Sequence, residues 1–92
     1  MITQAQFDHI MAERIGALIK RERKRSGLAQ DELARRSGYS RVTVKKTEDG
    51  RTLPRLPVLF ALLWELDCTQ SVWDEISRID ACLRAQMKRE AA

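Results

Sequence analysis

QDELARRSGYSRVTVKKTEDG, residues Gln30 to Gly50, has the pattern of two short helices joined by a tight turn. Acidic and acceptor side chains open the first helix, where they suit the free N–H groups and the positive end of the helix dipole. Gly38 is placed to end that helix with a positive φ, which costs glycine little. Ser40 then suits the N-cap of the second helix. The predicted helices cover about residues 30–37 and 41–48.

Positive charge is concentrated around this segment. The 92-residue chain has a net charge of +4. The segment from Arg14 to Arg55 alone contains thirteen Lys and Arg and five Asp and Glu, which gives it a net charge of +8. The parts before and after carry −2 each. A basic region of this kind suits contact with nucleic-acid phosphates. For the first helix alone, the alternative to phosphate contact is that its Lys and Arg side chains are merely solvated.

The wider segment GLAQDELARRSGYSRVTVKKTEDGR, residues 27–51, resembles the Cro/lambda-repressor-like helix-turn-helix family, also called XRE. The resemblance extends from about Ile15 to Cys68. It implies an all-α fold, a five-helix lambda-repressor-like DNA-binding domain, here with an N-terminal extension and a long C-terminal helix. We expect residues 1–92 to form one such domain, with the second motif helix lying in the DNA major groove.

Three residues depart from the family pattern. Ala29 stands where Ser or Thr usually caps the first motif helix, so a cap worth about 1 kcal/mol is missing. Tyr39 replaces a small aliphatic residue in the turn. Thr47 replaces a large apolar residue on the inner side of the second motif helix. We expect these changes to weaken local stability without changing the fold.

Capping signals and apolar spacing predict the other helices. Thr3 begins a capping-box pattern, so a first helix starts near Gln4 and runs to about Arg25, with a break near Asp8 as an alternative. Pro57 suits the first turn of a fourth helix. That helix has more apolar surface than the core alone needs, which indicates a partner as well. We expect one apolar stripe formed by Leu56, Leu59, Phe60, Leu63 and Leu66, widened by Leu62 and Trp64.

The last helix is predicted at about residues 71–89, because Ser71 begins a second capping-box pattern. Its apolar residues recur in alternating steps of four and three, like a heptad seam. We interpret this seam, together with Trp64 or Trp73, as a homodimer interface, and packing on the chain's own first and fourth helices is the alternative. The predicted interface residues are Val72, Ile76, Ile79 and Leu83.

Candidate DNA contacts lie on the outward side of the second motif helix. Arg41 suits bidentate contact with guanine, Val42 contact with a thymine methyl, and Lys46 contact with a base or a phosphate. Thr43 and Lys45 are candidate phosphate contacts. The family resemblance implies four further phosphate contacts, namely Gln30, Arg51, Thr52 and Arg55. It also implies that Gln30 steadies the side chain of Arg41.

The resemblance also implies a structural ion pair. In this family, the Glu before the terminal glycine of the motif often pairs with an Arg of the first helix. By alignment, these residues are Glu48 and Arg23 here. Removing one partner of a buried pair costs several kcal/mol, because the other charge stays buried.

Other classes of site are not expected. Cys68 and Cys82 lack CxxC spacing and His9 is the single histidine, so we predict no metal site, no cofactor and no enzyme. The longest apolar run, Leu56–Trp64, is too short to span a bilayer and contains Pro57. We therefore expect a cytoplasmic protein without a membrane partner.

These observations predict a sequence-specific transcriptional regulator, a repressor that binds an inverted repeat of double-stranded DNA as a homodimer. The alternative is an antitoxin-type protein that binds a toxin and autoregulates its operon. The apolar fourth helix and the long fifth helix motivate this alternative. RNA polymerase is a further candidate partner, because some small members of the family activate transcription.

Overall fold

The computed structural model describes residues 1–91, which form five α-helices and no strand. The predicted all-α fold is therefore confirmed, and the two motif helices coincide with the predicted segments. The helices are α1 (Gln4–Arg25), α2 (Gln30–Ser37), α3 (Arg41–Glu48), α4 (Leu56–Glu65) and α5 (Gln70–Ala91).

α1 is one continuous helix with a reciprocal cap at its start. The Thr3 hydroxyl accepts a hydrogen bond from the Gln6 N–H at 3.1 Å, and the Gln6 side chain accepts one from the Thr3 N–H at 2.8 Å. This capping box fixes the helix start at Gln4. The helix continues through Asp8, so the break considered there is absent.

The motif turn follows from its local chemistry. Gly38 ends α2 with a φ of 82°, in the left-handed region that favours glycine. The Ser40 hydroxyl caps α3 by accepting a hydrogen bond from the Thr43 N–H at 3.1 Å. Ala29 gives α2 no side-chain cap, and the Glu32 carboxylate instead accepts a bond from the Ala29 N–H at 3.4 Å.

The apolar core lies where the helices meet. α3 packs on α1 and α2, α2 also packs on α4, and α5 packs on α1. The innermost residues come from four different helices, so the core joins both motif helices to the rest of the chain. They are Ile19, Leu33, Val44, Leu62 and Leu63.

The single apolar stripe predicted on α4 is wrong, because the helix has two apolar sides. Leu59, Leu62, Leu63 and Leu66 are buried in the core. Leu56 and Phe60 were expected on the same stripe, but they are exposed, as is Trp64. A helix that is apolar all round does not reveal which side is covered.

α5 directs its heptad-like seam into the chain's own core. Val72 and Leu83 are only 6% and 5% exposed, and Ile76 and Ile79 are partly buried against the apolar core. The predicted dimer interface is thus used for intramolecular packing, which was the alternative. The helix also starts at Gln70, so Ser71 lies in its first turn rather than at its cap.

Candidate nucleic-acid interface

The inner side of α3 lies directly against α1 at Gly16. A Cβ added to Gly16 would overlap the carbonyl oxygen of Thr47 and lie 2.9 Å from that of Glu48. Only a residue without a side chain permits this approach of two backbones. The close contact fixes the position of α3 relative to α1.

Thr47 lies on the buried side of α3, and its hydroxyl is hydrogen-bonded. The residue is only 2% exposed. The hydroxyl donates to the carbonyl oxygen of Thr43, one turn earlier, at 2.9 Å. This bond explains how a polar residue is accommodated at a position where the family usually has a large apolar one.

A buried ion pair joins the C-terminal end of α3 to α1. Arg23 donates to both carboxylate oxygens of Glu48, from Nε at 2.6 Å and from Nη2 at 3.0 Å. Its Nη1 donates to the carbonyl oxygen of Leu28 at 2.8 Å. The hydrogen bonds to Glu48 raise the pKa of Arg23 above its ordinary value. The two predicted partners are therefore together, in the fork geometry that strengthens Arg–carboxylate pairs.

The outer side of α3 is exposed and basic. Arg41, Val42, Lys45 and Lys46 all face solvent, and Val42 is 59% exposed although it is apolar. The ammonium group of Lys45 lies 3.1 Å from a carboxylate oxygen of Asp49. Thr43 is partly buried, and its hydroxyl lies 3.0 Å from that of Ser40.

Arg41 is held by a residue that the sequence did not single out. Its Nε lies 3.3 Å from Oδ1 of Asp31 on α2, with both side chains mostly exposed. Gln30, which was expected to steady Arg41, instead donates to Glu48 Oε1 at 3.1 Å. Arg41 is therefore paired with the exposed Asp31 rather than with Gln30. Gln30 instead adds a hydrogen bond to the buried ion pair of Arg23 and Glu48. The ten-residue separation of Asp31 and Arg41 leaves no local sequence signal for their contact.

The segment after α3 is fixed at its start and exposed beyond it. Gly50 has a φ of 72°, and its N–H donates to the Thr47 carbonyl oxygen at 3.1 Å. The Arg51 N–H donates to the Lys46 carbonyl oxygen at 3.0 Å. Arg51, Thr52 and Arg55 are exposed. The loop thus presents Arg51 just after the C-terminal end of α3 and Arg55 at the N-terminal end of α4.

Within residues 1–91, no three His, Cys, Asp or Glu side chains cluster closely enough to hold a metal ion. In the same part of the chain, none of the helices combines the length and apolar character needed to cross a bilayer.

Comparison with known proteins agrees with this geometry. The family model of the helix-turn-helix domain matches residues 14–76. The "ImmF control region 10 kDa protein" of Bacillus phage phi105 is 37% identical over 70 residues, which cover 74% of this chain and 78% of the phage protein. The crystal structure of the clp gene regulator ClgR from Corynebacterium glutamicum superposes with a TM-score of 0.67. That match covers 88% of this chain and 87% of ClgR at 24% identity, and it therefore supports the fold.

Proposed function

The chain belongs to the helix-turn-helix family of DNA-binding transcription regulators, and we propose that it is a repressor that binds an inverted repeat of double-stranded DNA as a homodimer. The observation that carries the proposal is the contrast between the two sides of α3. Its inner side is fixed by Gly16 and Glu48, and its outer side exposes Arg41, Val42 and Lys46.

A fixed helix with an exposed basic side is suited to reading base edges. In such motifs, the N-terminal residues of the second helix contact bases in the major groove. Arg41 and Val42 are the first two residues of α3. Arg41 would contact guanine O6 and N7, and Val42 a thymine methyl. Lys46 follows one turn later and would reach a base or a phosphate.

The phosphate contacts would lie around the exposed side of α3 that contacts the bases. Lys45 and Thr43 lie on α3, and Arg51, Thr52 and Arg55 lie in the loop that follows it. Exposed basic groups at both places would fix the register of the helix along the groove without reading sequence. Gln30 would add a contact from the start of α2 while its amide remains bonded to Glu48.

The proposed repression rests on the two-fold symmetry of a homodimer and on the name of the phage relative. A two-fold homodimer presents two copies of α3 in inverted orientation, so its preferred DNA site is an inverted repeat. The relative is named for a control region. Occupation of a promoter by such a dimer would block transcription without a further chemical step.

Selection of binding sites from a random double-stranded DNA pool tests the proposal. We expect an enriched inverted repeat whose half-sites are centred about 10 base pairs apart, or a multiple of that distance. Titration of the selected site and of an unrelated DNA at two salt concentrations should show a steep salt dependence for both. Weak binding with no enriched sequence would contradict a sequence-specific repressor.

A further inference from the structure

α4 exposes large apolar side chains on the side that faces away from the core. Leu56, Phe60 and Trp64 are 65%, 54% and 80% exposed. They follow one another at steps of four residues and therefore share one side of the helix. No residue between Leu56 and Trp64 carries a charge. We call these three side chains the outer face of α4.

A groove adjoins the outer face where α4 meets α5. It has a volume of about 460 Å³ and its lining is mostly apolar. The rings of Phe60 and Trp73 meet there with centroids 5.0 Å apart. The half-buried Cys68 forms part of the groove wall, and burial raises the pKa of its thiol above the ordinary value. The lining residues are Phe60, Ala61, Leu63, Trp64, Cys68 and Trp73.

We propose that the outer face of α4 binds a second copy of this chain, with Trp64 of each copy inserted into the groove of the other. The inference rests on the homodimer of the proposed function and assigns its surface. It replaces the seam of α5, whose residues Val72 and Leu83 are already buried in the chain's own core.

The arrangement of the surface favours a second copy. A two-fold interface uses the same patch on both partners, so the patch must present both a projecting group and a place to receive it. Trp64 projects into solvent from one edge of the groove that it helps to line. The same patch therefore supplies both requirements.

The exposed apolar area is compatible with a dimer. Aromatic side chains of this size bury roughly 150–250 Å² each. Given their exposure, Trp64, Phe60 and Leu56 leave roughly 400 Å² open on each copy, about half of the roughly 800 Å² per partner in a standard interface. The groove walls, including the half-buried Trp73, would contribute further area.

The distribution of charge also favours a second copy of the chain, rather than DNA, as the partner of the outer face of α4. The chain as a whole carries +4, and its basic side would repel a second copy. The outer face of α4 has no charge, so two copies can meet there without that repulsion. The same lack of charge makes the face unsuited to phosphates, which attract Lys and Arg.

Sedimentation equilibrium of the full chain without DNA tests the proposal, with Trp64→Glu as the disrupting variant. We expect the wild type to be a dimer at tens of micromolar and Trp64→Glu to raise the dimer dissociation constant at least about 30-fold, as for a central interface residue. Val42→Glu is the matched control, because Val42 is also apolar and exposed but lies on α3. It should leave the dimer unchanged.

Fluorescence provides a second readout, because the chain contains only two tryptophans. In a Trp73→Phe variant, the emission comes from Trp64 alone. We expect that emission to shift to longer wavelength on dilution, over the concentration range in which sedimentation of the same Trp73→Phe variant shows dissociation, because Trp73 lines the groove. An emission that does not change while the dimer dissociates would place Trp64 outside the interface and overturn the proposal.

The outcomes separate this proposal from the proposed function. If Trp64→Glu remains dimeric and still binds the inverted repeat, the surface is wrong and the repressor function stands. If the wild type is monomeric at tens of micromolar, the surface is wrong and the homodimer fails with it. A monomeric Trp64→Glu that keeps its salt-dependent affinity for unrelated DNA but loses preference for the inverted repeat would support both.

Discussion

The two sides of α3 share one helix of eight residues but are held in different ways. On the inner side, Glu48 forms a buried pair with Arg23, and the helix backbone touches Gly16. On the outer side, Arg41 and Lys45 pair with carboxylates that are themselves exposed or partly exposed. The inner contacts fix the helix, and the outer contacts can be exchanged for contacts with DNA.

The energetic reason lies in solvation. An exposed ion pair is worth about 0–1 kcal/mol, because water screens both charges and competes for them. Breaking a buried pair leaves a charge without solvent or partner and costs several times more. Substitutions on the inner side should therefore change the free energy of unfolding. Substitutions on the outer side should change DNA affinity while leaving the fold intact.

The largest effect is expected from Glu48→Ala. It leaves the guanidinium of Arg23 buried without its carboxylate and should lower the free energy of unfolding by about 3–5 kcal/mol. Urea denaturation monitored by circular dichroism measures this change. The double variant Arg23→Met, Glu48→Leu is the control, since it removes both charges and should lose much less. Equal losses in the single and double variants would show that packing, rather than charge, dominates there.

Gly16→Ala is expected to be the next most costly. Alanine normally favours a helix over glycine by about 1 kcal/mol, but here its Cβ would overlap the carbonyl oxygen of Thr47. We expect a net loss of about 2–3 kcal/mol, because α1 and α3 must separate. Thermal unfolding checks the sign. The reverse substitution at an exposed neighbour, Ala17→Gly, should cost only about 1 kcal/mol, and a stabilised Gly16→Ala would contradict the close approach.

On the outer side, Arg41→Ala should weaken binding to the selected DNA site by about 1–3 kcal/mol and relax the preference at one base pair. Its effect on unfolding should stay within about 0.5 kcal/mol, as for an exposed pair. Fluorescence anisotropy with the selected site and single-base variants measures the affinity. Arg51→Ala is the matched comparison and should weaken binding to all sequences, with a salt slope smaller by about one. Identical behaviour of both variants would refute the division into base and phosphate contacts.

The smallest effect is expected from an exposed pair that joins α1 to α5. Arg21 donates from both terminal nitrogens to Glu75, at 2.9 and 3.0 Å, and these bonds lower the pKa of Glu75 below its ordinary value. A lowered folded-state pKa contributes stability above the unfolded-state pKa, and this contribution is lost as the pH falls through the lowered value. Glu75→Gln should thus cost about 0.5–1 kcal/mol at pH 7.

The pH dependence distinguishes this charge effect from a simple loss of packing. The difference between wild type and Glu75→Gln in urea denaturation should shrink as the pH falls from the ordinary pKa of Glu, about 4.3, through the lowered folded-state pKa of Glu75, because Glu75 is then protonated in both states. A difference that persists unchanged at pH 2 would contradict the electrostatic origin. Compared with Glu48→Ala, the variant measures how much burial increases the cost of breaking a pair.

The sequence by itself determined the helices of the motif, because their signals are local. Gly38 requires a positive φ, and Ser40 caps the helix that begins one residue later. The capping box at Thr3 likewise set the start of α1. The pairing of Arg23 with Glu48 was also predicted, but through the family resemblance rather than through spacing, since 25 residues separate the two.

Only the tertiary structure decided which apolar surfaces are covered and which charges meet. α4 is apolar on every side, so its sequence could not separate Leu59, which is buried, from Phe60, which is exposed. The spacing of Val72 and Leu83 suits a partner helix and the chain's own α1 equally well. Asp31 meets Arg41 because the turn brings two helices together. In each case the deciding quantity is the packing of one helix against another, which local patterns do not encode.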